Sequence, residues 1–171
     1  MSAEQLGMEI ADSFASHDTE LTASALSLGP ELDNLIRAVD EWASALRAGM
    51  DVYHADYVSA REATQHFSYG YGELWDTNID LYDAANKIKQ SVSDIGIQEK
   101  CQAVMDAVDA AVLYEWHNSG YSEYSDAHGL SIYWPESQDE LDIDFDYYKD
   151  EVEFSLIMNW DEFCEAFVQF N

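Results

Sequence analysis

The sequence is short of positive charge, of cysteine and of proline. Only 7 of its 171 residues are Lys or Arg, against 35 Asp or Glu, which gives a formal net charge of −28. Seven scattered cations cannot form the basic stripe that displaces condensed counterions, so nucleic acid is excluded as a partner. An anionic membrane surface is repelled for the same reason. The two cysteines, Cys101 and Cys164, make no disulfide framework and lack metal-ligand spacing, and their positions leave open whether they bridge each other. No apolar run approaches the roughly 20 residues that a membrane helix needs. The opening residues, MSAEQLGMEIADSF, are amphipathic and acidic, unlike a signal peptide. Localisation is therefore not legible, and a secreted or cell-surface position would need a signal peptide upstream in a longer parent. What is present argues for order. Hydrophobic residues make up 47% and aromatics 13%, well beyond a disordered composition. One domain over residues 1–171 is the expectation.

Hydrophobic periodicity predicts helices through most of the chain. Ala3 to Phe14 places Leu6, Ile10 and Phe14 four apart, on one helical stripe. The short alternating segment Leu21–Leu28 precedes Gly29-Pro30, and proline fits a helix at its first turn. A helix from Pro30 to Ala48 follows, with Leu35, Val39, Trp42 and Leu46 on its apolar face and Gly49 as its natural end. Further helices are predicted over Asp51–Phe67 (Val52, Tyr57 and Ala60 inward), from Asn78 or Asp80 to Ser91, over Ile97–Ala110, and from Asn159 or Asp161 onward. The period changes at Ala111–Trp116 and Leu130–Trp134, which are short, β-branched and aromatic. The polar stretch between them suggests one antiparallel hairpin, closed off by Pro135. The expected fold is α+β: a helix-dominated single domain with five or six helices and one antiparallel β-hairpin.

The segment Ala127-His128-Gly129-Leu130-Ser131-Ile132-Tyr133-Trp134-Pro135 resembles the AHGLSIYFP signature of clostripain-type cysteine peptidases, with Trp134 in place of Phe. Ala60–Phe67, Ile79–Ile88 and Asp106–Trp116 resemble the stretches that precede it in that family, and Asn159–Phe163 is similar to its closing motif. Members are caspase-like, with a catalytic His in a strand-end HG motif and a catalytic Cys after an Asp-Ala step. Neither of those catalytic stretches is in this sequence. The resemblance therefore implies the C-terminal, non-catalytic portion of such a peptidase, whose partner is the caspase-like half of the parent protein.

No residue is assigned a catalytic, cofactor-binding or metal-binding role. His128-Gly129 superficially matches a catalytic His, but the nucleophile would have to be Cys164, set between Phe163 and Phe167 and flanked by Glu162 and Glu165. Neighbouring carboxylates raise a thiol's pKa, the wrong direction for a nucleophile. Asp142, Asp144, Asp146, Asp150 and Glu153 occupy positions 1, 3, 5, 9 and 12 of a calcium-loop count. Tyr147 stands where that loop needs Gly, and Lys149 where it takes an apolar residue, so calcium is held as an alternative and no cofactor is the main reading. His117, His128, Tyr121 and Tyr124 bracket the polar loop as candidate ligand-lining or domain-contact residues. His17, His54 and His66 fall in separate segments. Tyr69, Tyr71 and Trp75 suit an interface with an absent peptidase half. The competing readings are an independent binding module for a peptide, a glycan or calcium, and an enzyme in its own right, for which no nucleophile–base pair is visible.

Overall fold

The computed structural model of the chain describes residues 1–17, 22–67, 77–118, 124–142 and 157–170. In chain order the elements are α1 (Ala3–Ala15), β1 (Thr22–Leu26), α2 (Pro30–Ala48), α3 (Met50–Glu62), β2 (Asn78–Asp80), α4 (Leu81–Ser91), α5 (Ile95–Ala111), β3 (Val112–His117), β4 (Ser131–Tyr133), a short helical segment α6 over 138–142, and α7 (Trp160–Gln169). Helices dominate, and the strands form two small antiparallel sheets, so the domain is α+β.

Local chemistry sets the helix boundaries. Ser2 and Gln5 cap α1 reciprocally, each side chain bonded to the other's backbone N–H. Pro30 opens α2 and Gly49 closes it. Asp80 accepts the N–H of Asp83 to start α4, and Asp94 accepts that of Ile97 to start α5. α3 is shorter than its periodicity suggests, because residues 65–67 leave the helix to pair with β2. Asp80 N–H donates to Gln65 and Phe67 N–H to Asn78.

α2 is the central helix, packed against α5 on one side and α7 on another, while α4 packs against α5 and α3. Its Leu35, Val39, Trp42, Ala43 and Leu46 are completely buried. Ile88, Val104, Phe163 and Phe167 join the same core from α4, α5 and α7. Val52 is a correction to the sequence reading: it is 73% exposed, while Tyr57 and Ala60 on the same helix are buried as expected.

The strand pairing corrects the expected hairpin. The two segments assigned to it both form strands, β3 and β4, but they do not pair with each other. β3 pairs with β1, Thr22 opposite His117 and Ala25 opposite Tyr114. β4 pairs with β2, Asn78 opposite Tyr133 and Asp80 opposite Ser131. The physical reason is visible at Gly129. It adopts φ +87, and an added Cβ would lie 3.0 Å from Val112 Cγ1 and 3.1 Å from Ser24 Cβ. The chain thus crosses the face of the β1–β3 sheet before β4 begins and cannot return alongside β3.

The other face of that sheet is covered by α1, through Ala11 and Ala15. A Cβ on Gly7 would meet Ala25, so small residues seat this helix. Positions 7, 11 and 15 lie about 100° around the helix from positions 6, 10 and 14. Leu6, Ile10 and Phe14 are consequently left 49%, 61% and 49% exposed.

Candidate functional site

The signature-like segment 127–135 is built into the fold at nearly every residue. Ala127 is buried and its N–H donates to the Tyr124 carbonyl. His128 N–H donates to Asp80 Oδ2 at 2.6 Å, Leu130 C=O accepts from Leu81 N–H, and Trp134 N–H donates to Thr77 C=O. Tyr133 C=O accepts from the Trp160 indole at 2.6 Å, and Trp134 C=O accepts from Arg61 Nε at 2.9 Å. The segment thereby ties α3, α4 and α7 to one strand. These residue types serve as scaffold.

The chemistry-bearing side chain of the segment is His128, whose partner is Asp80 at the end of β2. His128 Nδ1 donates to Asp80 Oδ1 at 3.2 Å, and the ring stacks on Tyr82 with centroids 4.2 Å apart. Asp80 is completely buried and also caps α4, so it cannot turn away. The hydrogen bond to Asp80 holds the imidazole pKa above its usual value, against the opposing effect of burial, with Asp83 adding a smaller raising effect. The constellation therefore holds a protonated ring more readily than a free histidine would.

A pH dependence follows. A raised folded-state pKa means that the His128–Asp80 attraction is fully present below the usual imidazole value and is lost as pH rises through the folded value. The Tm difference between wild type and His128→Asn should be larger at about pH 5 than at about pH 9. Thermal melts at both pH values test this, and an equal difference at both would remove the charge from the account.

Cys164 lies elsewhere and is buried. Its Sγ donates weakly to the Tyr133 carbonyl at 3.7 Å, while the His128 ring is engaged by Asp80 and Tyr82. Burial drives the Cys164 thiol well above its ordinary pKa, with Asp161 adding to the effect. Burial likewise pushes Cys101 up to about 12. Both are free thiols and protonated at neutral pH, a poor state for a nucleophile.

The remaining histidines are not gathered. His17 Nδ1 donates to Ser13 C=O, His54 Nε2 to Phe167 C=O and His66 Nε2 to Arg61 C=O. His117 Nδ1 donates to Glu115 at 2.7 Å. Tyr124 stacks on Phe67. Of the calcium-loop count only Asp142 is among the described residues, and Asp144, Asp146, Asp150 and Glu153 lie outside them, as do Tyr69, Tyr71, Trp75 and Tyr121. Among the described residues no group of three His, Cys, Asp or Glu is placed to hold a metal ion, and no helix is long and apolar enough to cross a membrane.

Two features were absent from the sequence reading. One is the buried Arg61, whose Nη1 donates to Glu136 at 2.9 Å, with Nη2 3.7 Å from Glu140. Its only signal is an arginine falling one residue after the inward Ala60. The other is an open cleft of about 560 Å³ beside β1, lined by Phe14, Thr22–Ser24, Phe67, Asn78, Tyr124, Ala127 and Gly129–Ser131. No protein-family model, curated protein or solved structure matches the chain.

Proposed function

We propose that this chain is a non-catalytic domain of a clostripain-related cysteine peptidase, packing against a caspase-like catalytic half and supporting it. The observation that carries the reading is the α1 stripe. Leu6, Ile10 and Phe14 are exposed in a row, at 49%, 61% and 49%, although smaller residues seat the helix. Large apolar side chains exposed contiguously mark interaction surfaces. Two protonated, buried thiols agree with chemistry located on another segment. The scaffold role of the 127–135 segment fits a domain whose task is to hold shape.

The test begins with the coding sequence upstream of Met1, which should encode an HG motif and an Asp-Ala-Cys step. That half, produced separately and mixed with this chain, should co-elute with it in gel filtration. The double variant Leu6→Asp/Ile10→Asp should lose co-elution while its Tm stays within about 2 °C of wild type, because exposed positions contribute little to folding. An upstream sequence without those motifs, or co-elution indifferent to the double variant, would sink the proposal.

A further inference from the structure

We infer that the cleft beside β1 is a docking slot for an extended peptide, which would add to the β1–β3 sheet as a third strand. Among the described residues β1 pairs with β3 alone, leaving its second edge without a strand. Three consecutive β1 residues, Thr22, Ala23 and Ser24, line the cleft. Successive strand side chains point to opposite faces, so three in a row on one cavity means that the strand presents its edge. A free edge carries unpaired N–H and C=O groups, and their natural complement is another peptide backbone.

The slot is walled on both faces of the sheet. α1 covers the face that carries Ala25 and Tyr114, with Gly7 under Ala25 and Tyr114 Oη donating to Asp12. Phe14, two residues beyond Asp12 on that helix, lines the cleft. Gly129 crosses the opposite face, over Ser24 and Val112, bringing Leu130 and Tyr124 to the other wall. An incoming strand would therefore find an aromatic on each side for its alternating side chains.

Charge selects the occupant. With 35 carboxylates in the chain, none of the described lining residues is Asp, Glu, Lys, Arg or His. The polar groups that do line it, from Thr22, Ser24, Asn78 and Ser131, are neutral hydrogen-bonding ones. The described lining thus offers no charge of either sign to a guest and suits an uncharged stretch of backbone with apolar side chains. The volume falls within the range of about 300–1,000 Å³ typical of built binding sites. The slot and the α1 stripe share Phe14, but Leu6 and Ile10 lie outside the cleft, so the Leu6→Asp/Ile10→Asp variant tests the α1 role without altering a residue that lines the slot.

The experiment is a selection of random displayed peptides of about ten residues, enough to span a five-residue strand, against the full chain. Recovered peptides should shift backbone amide NMR signals of Thr22–Ser24 and bind with saturation. Methylating alternate backbone nitrogens of such a peptide should weaken binding about tenfold or more when the methyls face β1. Asn78→Asp and Ser131→Asp, which place a carboxylate in the slot, should each weaken it by about tenfold with an unchanged Tm. A selection that yields no saturable binder overturns the inference. So do binders whose shifts fall away from β1, or whose affinity ignores both N-methylation and the two carboxylates.

Discussion

Replacing Arg61 with methionine is expected to destabilise the fold by about 3–5 kcal/mol, the range for removing one partner of a buried ion pair. The side chain is 1% exposed, and its partners among the described residues include Trp134 C=O, Glu136 and Glu140. The Glu136 side chain is 55% exposed and can return to water at little cost. Glu140 cannot. Its side chain is 8% exposed, and without the guanidinium its charge would sit uncompensated beside the core. The Trp134 carbonyl loses its Nε donor as well, which adds the penalty of a stranded acceptor. The loss should consequently be smaller in Arg61→Met/Glu140→Leu than in Arg61→Met alone, since the double variant removes the buried charge together with its partner. Urea unfolding followed by circular dichroism measures both. A double variant no more stable than the single one would show that Arg61 acts by packing its stem instead of by charge.

How much of this was legible in the sequence depends on whether the signal is local. Pro30 and Gly49 mark the ends of α2, and Asp80 stands at a helix start, because a cap is read from residues a few positions apart. The burial of Cys101 and Cys164 was likewise readable from their neighbours on apolar helix faces. Strand pairing was not. β3 and β4 are successive strands, and adjacent segments often pair, but each found its partner near the start or middle of the chain. The deciding residue, Gly129, reads as an ordinary turn glycine until the sheet beneath it is known. The α1 stripe misled in a similar way. Leu6, Ile10 and Phe14 have the spacing of a core face, yet Gly7, Ala11 and Ala15 allow closer approach to the sheet one residue further round. His128 was noticed for a match to a catalytic motif, while its actual partner, Asp80, was visible only as a helix cap. Arg61 gave almost no signal, because its acceptors come from a segment more than 70 residues away in sequence.

Trp160→Ala should cost about 3–5 kcal/mol, the range for truncating a buried aromatic. Trp160 lies at the junction of the core: its ring stacks on Trp42 at 5.1 Å and meets Trp134 edge-on at 5.8 Å. All three indoles are completely buried, so no solvent can enter cheaply to fill the cavity. The conservative variants separate packing from hydrogen bonding. Trp160→Phe keeps much of the ring contact but removes the indole donor to Tyr133 C=O. Its cost should be about 1–3 kcal/mol for the lost buried hydrogen bond, in addition to lost volume. Trp134→Phe should be milder, about 1 kcal/mol or less, because the Trp134 indole N–H has no hydrogen-bond partner among the described residues. Phenylalanine there relieves a stranded donor while keeping the edge contacts to Trp160, Phe163 and Phe167. Urea midpoints for the three variants should therefore rank Trp134→Phe above Trp160→Phe, and Trp160→Phe above Trp160→Ala. If Trp134→Phe proved the costlier of the two conservative changes, the volume of its indole, and not the pairing of Trp160 with β4, would be what closes this core.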